Sequence, residues 1–430
     1  MSAQNRLRRA HCRAVAVLQS RWIRWLLITM LVLVYAGWIS YVITRNKPVD
    51  FYVYYSGGLA VRQGKNLFDL TLDEWIDLGG FPGIADEDVP YPHRYPPFYH
   101  VLMVPLTLVP PRTAALLWAA ASGLAMLASA LVLARAFPAP HSDLALLAML
   151  GLSVPVLAAI HAGQVTPFVL LCLALSLLAW KKDRPVWAGL ALGAGTLLKV
   201  IPIALVAYMV WRKQLRVAGA ALLLIAFVVL VSLPLVGADD YTSFLRQSSA
   251  LTRADRLTIN PPNQSLGGFI GRFSYFLPAE TSTYLWVIRA VSASFVALTI
   301  LICWPPGDFS DRIPMEFGLI VATLQLVTPF AWHHQLHLLL VPLAALSQRM
   351  LTDRRSIHLI LPILAVTILT DIHGLFWHQL QAWRPYSIFV STATYGTLII
   401  WGTLAILIVA RQTRFRASVP VPASTAPQEE

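Results

Sequence analysis

Eleven apolar runs follow one another along the chain, at 22–43, 112–136, 143–160, 164–181, 186–211, 214–236, 284–304, 314–332, 334–348, 356–372 and 388–410. Many approach the roughly 20 residues that carry an α-helix across a bilayer core. In lipid, backbone N–H and C=O groups must be satisfied within the segment or in a closed barrel. The runs therefore predict an all-α polytopic membrane protein of about 10–12 transmembrane helices. Charged residues make up 13 % of the chain, about half the roughly 25 % of a soluble domain, which excludes a set of soluble domains. Cys12, Cys172 and Cys303 show neither a disulfide framework nor a metal-ligand spacing.

The net charge of +12 is distributed in short clusters between the apolar runs, with no basic stripe. No nucleic-acid partner is expected; the clusters report topology. Arg6, Arg8, Arg9, Arg13, Arg21 and Arg24 precede or open the first run, which is too long and aromatic for a signal-peptide core and reads as a retained helix. Lys181, Lys182 and Arg184 follow the fourth, and Arg212, Lys213 and Arg216 follow the fifth. Arg349, Arg354 and Arg355 precede the tenth, and Arg411, Arg414 and Arg416 follow the last. Short Lys/Arg-rich loops stay cytoplasmic, so both termini are expected inside a cell membrane. The organisation is a basic arm at 1–21, a membrane domain at 22–411 with outer segments at 44–97 and 237–283, and a disordered tail at 412–430.

All the clusters fall inside only if 186–211 enters and leaves on one side. It carries Gly193, Gly195 and then Lys199-Val-Ile-Pro202. Proline removes a backbone donor and disfavours helix at the preceding residue, so two half-helices meeting near Lys199 are predicted. Irregular backbone at membrane depth is tolerated where it lines a polar cavity. The short run 98–110 reads as interfacial or re-entrant.

The unusual polar residues, none used to set that orientation, all fall on the opposite face. Asp50 follows the first run; His161-Ala-Gly-Gln164 is a tight outer turn; Asn263-Gln264-Ser265 lies on the second outer segment; Trp332-His333-His334 forms another turn, and His373 and His378 flank a third. Asp50, among aromatics, is either a general base or a cap on the helix that follows it. His333 and His334 could hold a phosphate, shuttle a proton or sit as polar residues at a headgroup-level helix end. An adjacent pair is a poor metal motif because helix neighbours diverge. Lys199 inside a span is a functional candidate suited to a phosphate, or else a snorkelling side chain. Arg62, Arg94 and Arg272 are further phosphate candidates or plain loop charges.

Several of these segments resemble one family. Asp50-Phe-Tyr-Val-Tyr-Tyr with Gly64-Lys-Asn-Leu-Phe68, and Arg94-Tyr-Pro-Pro-Phe98 before Val104-Pro-Leu106, resemble the first outer loop of the PimE-like mannosyltransferases. These are GT-C glycosyltransferases that use polyprenyl-phosphate sugars. Gly163-Gln-Val165, Gly189-Leu-Ala-Leu-Gly193 with Leu198-Lys-Val-Ile-Pro202, Asn263-Gln-Ser-Leu266 and Thr328-Pro-Phe-Ala-Trp-His-His334 follow in the family's order, from about Val49 to Pro342.

The resemblance implies a GT-C-type bundle whose extracytoplasmic loops carry an inverting active site. Its substrates would be a polyprenyl-phosphate sugar, expected to be mannose, and a lipid-linked or envelope glycan acceptor. By it, Asp50 is the base and Trp332 and His334 belong to a Trp-x-His motif, with His334 catalytic and His333 in the x position. Lys199 would hold the phosphate, and Gln164, Asn263, Gln264, Arg94, Tyr95 and Arg272 would complete the substrate site. No metal or other cofactor is expected, because a cation can neutralise a polyprenyl-phosphate leaving group. The alternative, a transporter or flippase of a lipid-linked sugar, would be expected to show paired repeats; no convincing internal repeat is found.

Overall fold

The computed structural model describes residues 21–45, 48–79, 95–151, 153–252, 259–304, 312–382 and 389–418. Arg94, residues 1–20 of the basic arm and residues 419–430 of the tail lie outside them. Within them the secondary structure is helical, apart from one isolated bridge between Asn263 and Trp332.

In chain order the helices are α1 (Arg21–Arg45), α2 (Val49–Arg62), α3 (Leu72–Gly79), α4 (Pro97–Met103), α5 (Pro111–Ala136), α6 (Ser142–Gly151), α7 (Val154–Ala162), α8 (Thr166–Lys181) and α9 (Pro185–Leu198). They continue with α10 (Ile203–Trp211), α11 (Leu215–Thr252), α12 (Leu266–Arg272), α13 (Thr281–Ile302), α14 (Ile313–Val327), α15 (Leu340–Thr352), α16 (Ile360–Ala382) and α17 (Thr392–Ser418). The eleven apolar runs do not become eleven full spans. Among the described residues six helices are long and apolar enough to cross a bilayer, or seven if the bent pair α6–α7 counts as one. The runs at 164–181 and 314–332 form helices of only 16 and 15 residues, and 334–348 opens with the 3-10 helix His333–Leu339 before α15. Proline and glycine inside the runs divide apolar stretches that hydropathy alone reads as continuous.

The two segments expected on the outer face are more ordered than loops. The acidic stretch 44–97 contains α2 and α3, and 237–252 continues α11 beyond a break at Gly237 (φ 82°). Past that break, the buried Asp240 accepts from Leu67 N at 3.2 Å, tying residues beyond Gly237 to the 44–97 stretch.

The break expected near Lys199 is present. α9 ends at Leu198, Lys199 is extended (φ −153°, ψ 126°), and α10 begins at Ile203 after Pro202. The start of α9 lies against the start of α11. A Cβ on Gly189 would come 2.2 Å from Val217 O, and one on Gly193 would come 2.8 Å from Ala221 O. Only small residues four apart let two membrane helices approach so closely. Residues 185–214 therefore enter and leave at the same end of the protein.

A large apolar core, with Leu133, Leu146, Leu170, Val206, Phe317 and Leu404 among its members, joins the helices. A second, aromatic core of Phe51, Tyr54, Tyr99 and Trp118 seats α2. Only 11 % and 6 % of the α11 and α13 spans are buried within the protein, so their apolar faces are left for lipid.

Candidate active site

Asp50 stands in the first turn of α2, whose N-cap is Pro48 with no side-chain cap bond. The N-cap position is thus held by Pro48 and not by Asp50, whose carboxylate accepts a hydrogen bond from Gln164 Nε2, 114 residues away. The turn that delivers Gln164 depends on Gly163, in the left-handed region at φ 71°, where L-residues with a Cβ are strained. A Cβ there would meet Phe51 Cβ at 2.6 Å and Pro48 Cβ at 3.1 Å. Trp118 Nε1 donates to Gly163 O at 2.8 Å and fixes the turn from the other side.

Tyr54 lies one helical turn beyond Asp50 on the same face. It shares a 2.7 Å hydrogen bond with Tyr95 OH, and the Tyr95 and Tyr99 rings stack at 4.8 Å. Burial, then the neighbouring tyrosines and the Asp50 charge, push the Tyr54 phenol well above its ordinary value. It remains a neutral hydroxyl beside the carboxylate.

The histidine turn is built by the chain around it. Trp332 is extended, bridges antiparallel to Asn263 and precedes the 3-10 helix His333–Leu339. Gln264 N donates to Ala331 O at 2.8 Å, and His333 N donates to Pro262 O at 3.0 Å. Asn263 Oδ1 accepts from Ala331 N at 3.0 Å while its Nδ2 donates to Pro329 O at 3.0 Å. Gln264 Nε2 donates to Val390 O at 3.0 Å, and Arg272 donates to Asn263 O at 2.9 Å and Ser391 Oγ at 2.7 Å. Burial pulls the Arg272 guanidinium down to about 10, still protonated at neutral pH. All three side chains are buried, and these contacts brace the loops at 260–265, 329–333 and 389–394.

In a 3-10 helix residues three apart eclipse, which brings His337 under His334. The His337 ring lies against the Thr166 backbone, and the charge of Lys199 bears on both His334 and His337. Lys199 also edges a narrow apolar cleft lined by Pro202, Leu205, Val321, Leu324, Gln325 and Leu338. The His333 ring stands 5.6 Å from His334 and 5.9 Å from the buried His373.

One turn, 163–166, thus serves two halves: Gln164 reaches Asp50, and Thr166 meets His337, with Lys199 beside the histidines. Tyr95 joins the aromatic wall. Arg62 is bonded to Thr107 O at 2.9 Å and His161 packs near Trp38, so neither joins this line of contacts. Of His378, only its position in α16 is described. His337 and Tyr54 are additions beyond the sequence-derived set. Their signals were the third histidine in His333-His-Gln-Leu-His337 and the four-residue step from Asp50. Among the described residues no group of three or more His, Cys, Asp or Glu side chains is arranged to hold a metal ion.

Fold and site together define a multi-pass helical membrane protein with a polar site assembled at helix ends. Residues 93–329, more than half of the chain, match glycosyltransferase family 87, and the chain belongs to that family. The match includes Gln164, Lys199, Asn263, Gln264 and Arg272 and stops short of Trp332, while Asp50 precedes it. A similar curated protein is the polyprenol-phosphate-mannose-dependent alpha-(1-2)-phosphatidylinositol pentamannoside mannosyltransferase of Mycobacterium tuberculosis (strain CDC 1551 / Oshkosh). It is 28 % identical over 297 residues, which are 66 % of this chain and 63 % of the relative's length. No solved structure matches the chain. The transporter alternative receives no support from these matches.

Proposed function

We propose that the protein transfers mannose from a polyprenyl-phosphate donor to a lipid-linked or cell-envelope glycan acceptor, with inversion at the sugar carbon, on the extracytoplasmic face of the cell membrane. Both termini and the basic clusters then lie in the cytoplasm. The observation that carries this reading is the bond between Asp50 and Gln164 in the 163–166 turn, which also meets His337, with the Lys199 charge bearing on His334 and His337. The mannose and polyprenyl-phosphate parts draw on the named activity of the Mycobacterium tuberculosis relative.

In the proposed step an acceptor hydroxyl oxygen bonds to the mannosyl C1 as its proton passes to Asp50. The C1–O bond to phosphate breaks, and polyprenyl phosphate leaves with the electron pair. Lys199 offsets the charge gathering on that phosphate, and His334 donates a hydrogen bond to it, with His333 alongside. Preorganised donors and cations aimed at developing charge are a large source of catalysis. Asn263, Gln264 and Arg272 act by holding the histidine turn, and Tyr95 with Tyr54 walls the acceptor side. Trp332 offers an aromatic face to the sugar.

The test incubates purified protein with radiolabelled polyprenyl-phosphate mannose and total membrane lipid, then identifies the labelled lipid. Asp50→Asn keeps the size of the side chain and is expected to slow transfer about 10²–10⁴-fold, the usual worth of a positioned general base. Labelling obtained only from a nucleotide sugar rejects the donor class. Full turnover by Asp50→Asn rejects the base.

A further inference from the structure

At the end of the protein opposite Asp50, three basic clusters far apart in sequence meet around one cavity. The cavity has a volume of about 250 Å³ and presents Lys181, Arg349 and Arg411, with Gln348 and Thr352, over a floor that includes Phe137. Its place follows from the helices that line it. α8 runs from Thr166, at the Gln164 turn, to Lys181 over 16 residues, a rise of roughly 24 Å. α17 likewise leads from Thr394, bonded to Gln264, to Arg411.

Among the described residues, no carboxylate lines the cavity. The acid whose charge couples to Arg349 is Asp353, and its two oxygens already accept from Arg355 N at 3.0 Å and Ser356 Oγ at 2.9 Å. Lys181 Nζ donates to Ala136 O at 2.6 Å and lies 5.5 Å over the Phe137 ring, which fixes its position at the wall. Gln348 Nε2 reaches Pro138 O at 3.3 Å. Arg349 Nε is buried with no hydrogen-bond partner among the described residues. A buried donor left unmade is costly, and a phosphate oxygen seated in the cavity would satisfy it.

We infer that this cavity binds a phosphate-bearing anion, either the headgroup of an acidic phospholipid or free phosphate, at a site separate from the transfer chemistry. Basic pockets between membrane helices on the cytoplasmic side are suited to acidic headgroups, and phosphate oxygens match both the guanidinium fork and an ammonium. The inference needs only that the cavity lie at the headgroup level of the face away from Asp50.

Purified full-length protein in neutral detergent would be offered dioleoyl phosphatidylglycerol or dioleoyl phosphatidylcholine, with retained lipid read by native mass spectrometry. In a separate arm the thermal midpoint would be followed against potassium phosphate. Wild type is expected to retain phosphatidylglycerol over phosphatidylcholine. Arg349→Gln and Arg411→Gln should each bind it roughly tenfold more weakly, a little more than the worth of one basic residue at a lipid surface. Arg349→Lys should stay closer to wild type. A midpoint that rises with phosphate in wild type but not in Arg349→Gln, without lipid preference, identifies free phosphate as the occupant. Arg411 is exposed, so its variant remains informative if substitution at Arg349 impairs folding. Equal retention of both lipids with no phosphate effect overturns the inference, as does wild-type binding by both Gln variants.

Discussion

Gly163→Ala tests whether the 163–166 turn positions Asp50. The alanine would have to adopt φ 71°, which costs a residue with a Cβ about 1–2 kcal/mol. Its methyl would stand 2.6 Å from Phe51 Cβ, whereas carbon atoms rest about 3.5–4.0 Å apart. The turn and the start of α2 must therefore separate by roughly 1 Å, and relieving such overpacking costs about 1–3 kcal/mol. Together these give roughly 2–5 kcal/mol of destabilisation. The same displacement falls between Gln164 and Asp50, and misplacing a catalytic group by about 1 Å can reduce turnover 10²-fold. Transfer of labelled mannose per folded molecule and the thermal midpoint should be measured together. Both are expected to fall. A lower midpoint with unchanged turnover per folded molecule would make the turn merely structural, and no change in either would refute the packing argument itself.

Lys199→Ala should raise the donor KM about 10–100-fold, the range for a hydrogen bond to a charged group, with a smaller effect on acceptor KM; an unchanged donor KM removes Lys199 from the phosphate site. Glu316 is buried and paired with Arg212, Arg312 and Tyr208 OH. Glu316→Gln leaves two buried cations short of a counter-charge, so about 3 kcal/mol or more of stability should be lost, read as a lower thermal midpoint; an unmoved midpoint contradicts that pairing. With Cys12, Cys172 and Cys303 replaced by alanine, Lys65→Cys should react with a membrane-impermeant maleimide added outside cells and Lys182→Cys should not. Labelling in the reverse pattern inverts the orientation.

The membrane class was legible because apolar runs near bilayer length have few other uses. The break at Lys199 was legible because Gly193, Gly195 and Pro202 are chemically explicit, and the tight turn at 161–164 because Gly163 offers the needed conformation. Span lengths were not: hydropathy sums across Pro155, Pro202 and the 3-10 helix at His333 without registering that the backbone stops. The helices in the acidic segment were missed because charge masked the spacing of Leu72, Trp75 and Leu78. The Asp50–Gln164 bond joins residues 114 positions apart, and no local pattern encodes it. The resemblance implies that Asn263, Gln264 and Arg272 complete the substrate site; their bonds to the chain's own carbonyls and to Ser391 join residues up to 126 positions apart, which no local pattern encodes.

The residues closest to the proposed chemistry stand where helices start or stop: Asp50 in the first turn of α2, Gln164 between α7 and α8, Lys199 between α9 and α10, His334 between α14 and α15. A continuous membrane helix satisfies its own backbone and presents mainly apolar side chains to lipid. Helices that end early let backbone and side-chain polar groups converge below the surface. α8, α9 and α14 have 16, 14 and 15 residues, a rise of roughly 21–24 Å against a hydrocarbon core of about 30 Å. Their site-side ends can therefore lie several ångströms beneath the interface. A donor whose sugar is joined to a phosphate on a bilayer-embedded prenyl chain carries its reacting carbon near that depth. A soluble sugar nucleotide would have to descend to reach it. The short helices thus favour a lipid-borne donor independently of the catalytic residues, and lengthening α8 by one turn at its Thr166 end should abolish transfer even with Asp50 and Lys199 intact.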